Sequence, residues 1–277
     1  MSADPKPTDP PLPPLEGWAL VLGASSGFGE ATALALARAG LHVAGVHLDR
    51  RATQQNVERI TQEIRGFGRE ALFFNVNAAD PDRRREVAAA VARRLAERGR
   101  GERVRVLLHS LAFGTLKPFF GGGPDDHLTQ KQMEMTADVM AHSLVYWTQA
   151  LLDADLLGEG SRIFAMTSTG STQVWRGYGA VSAAKAALES HVRQLAVELA
   201  PRGITANALC AGVTDTPALR KIPDNDAMVQ VALRKNPYGR LTRPEDVASA
   251  VVALAQPCTY WLTGNTLYVD GGEAAAG

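Results

Sequence analysis

Two patterns alternate along the chain. Short apolar runs occupy residues 18–22, 42–47, 70–76, 104–110, 162–167, 204–209 and 266–269. Each is short for a helix and apolar at both alternating sets of positions, which predicts strands buried on two faces. Between them, apolar residues recur every three or four positions among polar ones at 26–39, 57–67, 81–99, 131–154, 178–199 and 244–255. That period predicts helices with one face on a sheet. Gly40 stops the first of them.

Strands separated by helices pair in parallel, because a crossover helix returns the chain to the same end of the sheet. The fold class that follows is α/β, a doubly wound parallel sheet (Rossmann fold), with ligands expected beyond the carboxyl ends of its strands. Two stretches, 113–129 and 214–236, show no clear period. Both follow strands, so both are expected as loops that shape the substrate site. Residues 1–16 (MSADPKPTDPPLPPLE) are dense in proline and are set apart as a disordered or polyproline tail, with a PxxP ligand for a partner as the alternative. Residues 17–277 read as a single domain.

Composition narrows the function classes. The 277 residues carry 29 basic and 29 acidic side chains, and 45% are apolar. A nucleic-acid or membrane-surface binder would concentrate positive charge, so neither partner is expected. No apolar run approaches the roughly 18 residues that span a bilayer, and the tail lacks the basic and apolar regions of a secretory signal. Cys210 and Cys258 have no paired spacing, and the six histidines show no HxxH pattern. The expectation is a reducing, cytoplasmic setting with no metal site.

The first chemical signal lies between the first strand and the first helix, at Gly23-Ala24-Ser25-Ser26-Gly27-Phe28-Gly29. Glycines there let the backbone turn sharply beside a diphosphate, and the helix start offers free N–H groups to its charge. The second strand ends in Asp49-Arg50-Arg51. A carboxylate at that place would hold ribose hydroxyls, and a guanidinium would accept a 2′-phosphate. Two guanidiniums against one carboxylate lean the choice to NADP(H) over NAD(H). A solvated charge cluster is the alternative.

The glycine run resembles the TGxxxGxG turn of the short-chain dehydrogenase/reductase family. The similarity extends over about residues 17–273 through Asn75-Val76, the run from Tyr178 to Lys185, Ala211-Gly212-Val213-Thr214-Asp215-Thr216 and Val269-Asp270-Gly271-Gly272. The resemblance implies a nicotinamide dinucleotide on Gly23, Ser25, Ser26, Gly27, Phe28 and Gly29. It also implies cofactor contacts at Asn75 and Val76, where the family meets adenine, and at Ser110, Leu111, Val213, Thr214 and Thr216.

Within that family the usual catalytic motif is Tyr-x3-Lys, yet position 181 holds Val181. The tyrosine is Tyr178, giving Tyr-x6-Lys with Lys185. This spacing resembles the enoyl-thioester reductases of bacterial fatty-acid synthesis, as does His109-Ser110-Leu111-Ala112-Phe113 after the fourth strand. A tyrosine three residues earlier lies about 4.5 Å farther along a helix, as suits an acid aimed at the thioester oxygen instead of the hydride-accepting carbon. The resemblance implies reduction of a trans-2-enoyl thioester, on acyl carrier protein or coenzyme A. Tyr178 would serve as proton donor to the enolate, Lys185 would sit on the ribose, and Ser168 would stand by the carbonyl. It further implies a dimer or tetramer contacting through the long helices and the apolar segment 260–269. The chain departs from those reductases in its ordinary Gly27-Phe28-Gly29 turn and in the acidic segment 222–228, which is basic where they bind carrier protein. A carbonyl or 3-oxoacyl reductase of the same family is the alternative.

Overall fold

The structure, a computed structural model, describes residues 12–99 and 101–276. Its strands are β1 (Trp18–Leu22), β2 (His42–His47), β3 (Ala71–Asn75), β4 (Val104–His109), β5 (Arg162–Ser168), β6 (Thr205–Ala211) and β7 (Thr266–Val269). They form one parallel sheet in the order β3-β2-β1-β4-β5-β6-β7. The sequence winds outward from β1 in both directions, which opens a crevice above β1 and β4. The central strands are buried along their length, whereas edge strands β3 and β7 are only half-buried. That contrast is why central strands read as unbroken apolar runs.

Eight α-helices accompany the sheet among the described residues: α1 (Gly27–Arg38), α2 (Gln54–Gly66), α3 (Pro81–Arg98), α4 (Gln130–Ala137), α5 (Ser143–Asp153), α6 (Gly179–Leu199), α7 (Asn225–Lys235) and α8 (Pro244–Leu254). One core cluster packs α3, α5 and α6 on a face of the sheet, around Trp147, Leu144 and Leu188. The other packs α1, α2 and α8 on the opposite face, around Leu36, Ile60 and Val251. Local chemistry sets several boundaries. Asp80 accepts from the amides of Asp82 and Arg83 and Pro81 opens α3, while Gly99, at φ 65°, closes it in the left-handed region.

The structure corrects three expectations. The helix expected over 57–67 begins at Gln54, because its first turn is polar and faces the phosphate turn, where Asn56 donates to the Ser25 carbonyl at 2.8 Å. The single helix expected over 131–154 is broken by a π-helical turn, Asp138–His142, between α4 and α5. The stretch 214–236 is not all loop, since it contains α7; Ala232 is that helix's only buried residue, so it has no apolar stripe to announce it. Of the proline-rich tail set apart as 1–16, residues 1–11 lie outside the described residues; Leu15 is buried with its amide on the Ala39 carbonyl at 2.8 Å, and the Pro13 carbonyl accepts from Gln256 at 3.2 Å. No helix among the described residues is long and apolar enough to cross a membrane.

Candidate active site

A cavity of about 1220 Å³ opens along the carboxyl ends of the strands. It exceeds the roughly 300–1,000 Å³ usual for one ligand, and so has room for a dinucleotide with a second molecule beside it. Its floor is the turn after β1. Gly23 bonds to the Val46 carbonyl at 2.8 Å and holds φ 86°; a β-carbon there would stand 2.5 Å from the Ser110 carbonyl oxygen. Gly27, at φ 55°, faces Thr216 across the cavity, where a β-carbon would fill the gap at 3.3 Å. Ser26 precedes α1 without capping it through its side chain, so the helix's first amides are left to a ligand. This cradle, bare of side chains at Gly23 and Gly27 and with N–H donors at the start of α1, fits a dinucleotide diphosphate.

Of the residues expected from the sequence, Gly23, Ser25, Ser26, Gly27, Phe28, Asp49, Arg50, Val76, Ser110, Leu111, Ser168, Tyr178, Lys185, Val213, Thr214 and Thr216 all line this cavity. Gly29 and Asn75 do not. Gly29 packs under the turn, where a β-carbon would lie 2.0 Å from the Gly23 carbonyl oxygen. Asn75 brackets the backbone of Asp49, accepting from its amide and donating to its carbonyl, both at 3.0 Å. It orders the backbone just after β2, and Val76, Asn77 and Ala78 supply the cavity wall beside it. Arg51 is likewise outside the lining, leaving Arg50 as the guanidinium there.

Asp49 is pulled inward. Its carboxylate meets His47 Nδ1 at 2.9 Å. Partial burial opposes its charge, but hydrogen bonds from Ser25, Thr53 and His47 outweigh that and hold the carboxyl below the usual aspartate range.

At the opposite end stand Tyr178, Lys185 and Ser168. Tyr178 is the residue just before α6, and its amide bonds to the Trp175 carbonyl at 3.1 Å. Burial raises its pKa, with the neighbouring Ser168 hydroxyl acting in the other direction. Ser168 Oγ is buried, points at no well-formed partner, and ends β5 beside the phenol. Lys185 lies one face down α6, buried, and its Nζ donates to the Met166 carbonyl at 2.6 Å. Burial brings its pKa down to about 8. Val181 is buried in the wall between them. His109 is fully buried at the end of β4; its ring meets Ser143 Oγ at 2.8 Å, and burial with the nearby Lys185 charge brings it down to about 3, so it is neutral.

The apolar part of the cavity draws on both stretches expected to shape the substrate site, though the sequence singled out none of its residues. Leu116 lines it from the β4–α4 loop, Met135 from α4, Val139 and Met140 from the π-helical turn, and Val174, Trp175 and Ile222 from the loops opposite, with Met228 from α7. Trp175 Nε1 donates to the Pro223 carbonyl at 3.1 Å and so ties the two loops together. The individual residues were not legible, since their side chains converge here from separate loops and helices. The arrangement offers an anion cradle, a proton donor with an ammonium behind it, and an apolar slot.

Comparisons with known proteins agree with this geometry. A family profile described as "Enoyl-(Acyl carrier protein) reductase" matches residues 23–273. An uncharacterised oxidoreductase of Mycobacterium tuberculosis (strain CDC 1551 / Oshkosh) is 33% identical over 92% of this chain and 90% of its own length. The 3-oxoacyl-[acyl-carrier-protein] reductase of Vibrio cholerae is 30% identical over 92% of this chain and 96% of its own. Among solved structures, the enoyl-[acyl-carrier-protein] reductase (NADH) of Aquifex aeolicus superposes with a TM-score of 0.79 at 25% identity, covering 94% of this chain and 97% of that one. A short-chain dehydrogenase of Burkholderia cenocepacia, in complex with NADP, gives 0.78 at 29%, covering 93% and 98%.

Proposed function

The chain belongs to the short-chain dehydrogenase/reductase family and is an NAD(P)-dependent oxidoreductase; from that premise we propose that it reduces a trans-2-enoyl thioester to the saturated acyl thioester. The observation that carries this reading is the place of the tyrosine. Tyr178 is the one tyrosine lining the cavity among the described residues, and position 181, four residues before Lys185, is a buried valine with no proton to give. The apolar slot beside it suits an acyl chain.

A reduced nicotinamide, when bound, supplies the hydride. The residues supply the rest. Tyr178 holds its proton against the thioester oxygen, where negative charge builds as C3 is reduced, and burial keeps the phenol protonated until then. Lys185 spends one of its three donors on Met166 and keeps two for a ribose. Its positive charge favours the developing enolate. Ser168, whose hydroxyl lies beside the phenol without a well-formed hydrogen bond, offers a second donor to the carbonyl. The rival reading, a 3-oxoacyl or carbonyl reductase, draws support from the Vibrio cholerae relative and the ordinary glycine turn. Assaying crotonyl thioester against acetoacetyl thioester separates the two: good reduction of the second and none of the first overturns the proposal. Whether the acyl group rides on acyl carrier protein or coenzyme A follows from repeating the assay with each.

For the cofactor we keep NADP(H) over NAD(H), on Arg50. The Asp49 carboxylate is already engaged by His47, whereas Arg50 is exposed at the cavity's ribose end. Arg50→Ala is expected to lower kcat/KM for NADPH at least about tenfold, or 1.4 kcal/mol, while NADH kinetics barely move. Equal losses with both would show that Arg50 does not read a 2′-phosphate.

We also propose a homo-oligomer, a dimer or tetramer. Tyr260, Trp261, Leu262 and Tyr268 are exposed beside edge strand β7, an apolar patch of the kind that marks an interface. Light scattering at micromolar concentration should give a multiple of 29.5 kDa, and a monomer there would contradict the proposal.

A further inference from the structure

We propose that Glu189, held inward by Thr167, is the counter-ion that keeps Lys185 charged, and so acts as a positioning residue for the active site. This rests on reading Lys185 as a working ammonium, as the proposed function does.

Lys185 and Glu189 stand one turn apart on α6, at the i,i+4 spacing that puts side chains on one face. Consecutive residues of β5 tether both: the Met166 carbonyl accepts from Lys185 Nζ at 2.6 Å, and Thr167 Oγ1 donates to Glu189 Oε1 at 2.7 Å. Thr167 is itself buried, and its hydroxyl has a single hydrogen, which it commits to the carboxylate. A carboxylate on a helix flank would ordinarily point to solvent. Here it is drawn against the sheet, beside a buried ammonium that would be costly to keep without an opposite charge.

The other titratable groups around Lys185 supply no such charge. His109, from β4, is neutral and its positive form would only repel the ammonium. Cys210, from β6, is pushed up to about 12 by burial and stays a thiol. Tyr178, at the start of α6, is raised by burial and stays a phenol. Among the described residues Glu189 is therefore the anion that favours the charged lysine, against a burial that has already brought it down to about 8. Removing the carboxylate lowers that midpoint further, so the ammonium is lost at a lower pH.

The test is a ¹⁵N NMR titration of Lys185 Nζ in the full chain without ligands, assigned by comparison with Lys185→Met. In Glu189→Gln the midpoint should fall by about one unit, the low end of the range for a neighbouring opposite charge because Glu189 is partly exposed. Glu189→Asp, which keeps the charge, should restore most of it, and Thr167→Val, which removes the tether, should fall between. With whichever thioester the enzyme reduces, the alkaline limb of kcat should move by the same amount in Glu189→Gln. An unchanged midpoint in folded Glu189→Gln overturns the proposal; should that variant not fold, an unchanged midpoint in Thr167→Val does so. The titration needs no substrate, so a failure of the enoyl-thioester reading leaves its result intact.

Discussion

Tyr178→Phe is expected to lower kcat on a trans-2-enoyl thioester by about 10²–10³, the usual loss for one oxyanion donor, while leaving dinucleotide affinity unchanged. The phenol lines the cavity from the residue before α6, and its ring packs against Gly170, where a β-carbon would stand 2.5 Å from Tyr178 Cε1. Phenylalanine keeps that packing and removes only the hydroxyl. The Ser168 hydroxyl, buried beside it, sets the lower bound on the loss by offering a substitute donor. Lys185→Ala should behave differently, weakening cofactor binding as well as turnover. Adding Val181→Tyr to Tyr178→Phe restores Tyr-x3-Lys but not enoyl reduction, since the new hydroxyl approaches from the wrong place and a large ring must enter a site where Val181 is buried. Calorimetric affinity and steady-state rates on both thioesters check all three variants. A phenylalanine variant with wild-type kcat would remove Tyr178 from the chemistry.

Gly27→Val should cost the protein its dinucleotide, with affinity falling about 100-fold, or about 2.8 kcal/mol at 1.4 per decade. Two effects combine. Gly27 sits at φ 55°, where a β-branched residue is strained by about 1–3 kcal/mol. Its β-carbon would also meet Thr216 Cγ2 at 3.3 Å, so two further methyl groups must occupy the space between the turn and the loop after β6. Calorimetry with NADPH and NADH measures the loss. The helix behind the turn is held independently by Leu36 and Ala33 in the core, so circular dichroism should show the fold retained. Unchanged affinity in the folded variant would move the diphosphate elsewhere.

Much of this could be read from the sequence because it is written in short-range chemistry. Two-sided burial forces the central strands to be continuous apolar runs, and parallel pairing follows from the helices between them. The glycine turn was legible because its backbone needs positive φ at Gly23 and Gly27, which residues with a β-carbon resist. Tyr178 and Lys185 were legible through the family resemblance of the run 178–185, with Tyr178 standing just before α6 and Lys185 within it.

The chain alone determined the doubly wound fold and the family, and marked the glycine turn and the tyrosine–lysine pair as candidates for the site. Folding decided the rest, because those features depend on which distant residues meet. Asn75 faces the Asp49 backbone instead of the cavity, since β2 and β3 end side by side and its amide answers two backbone groups there. The apolar slot forms where the β4–α4 loop approaches the loops after β5 and β6, and α7 stayed hidden because it buries almost nothing. The tether of Glu189 to Thr167, next to that of Lys185 to Met166, exists only because α6 crosses the end of β5, bringing together a helix flank and a strand end that are far apart in sequence.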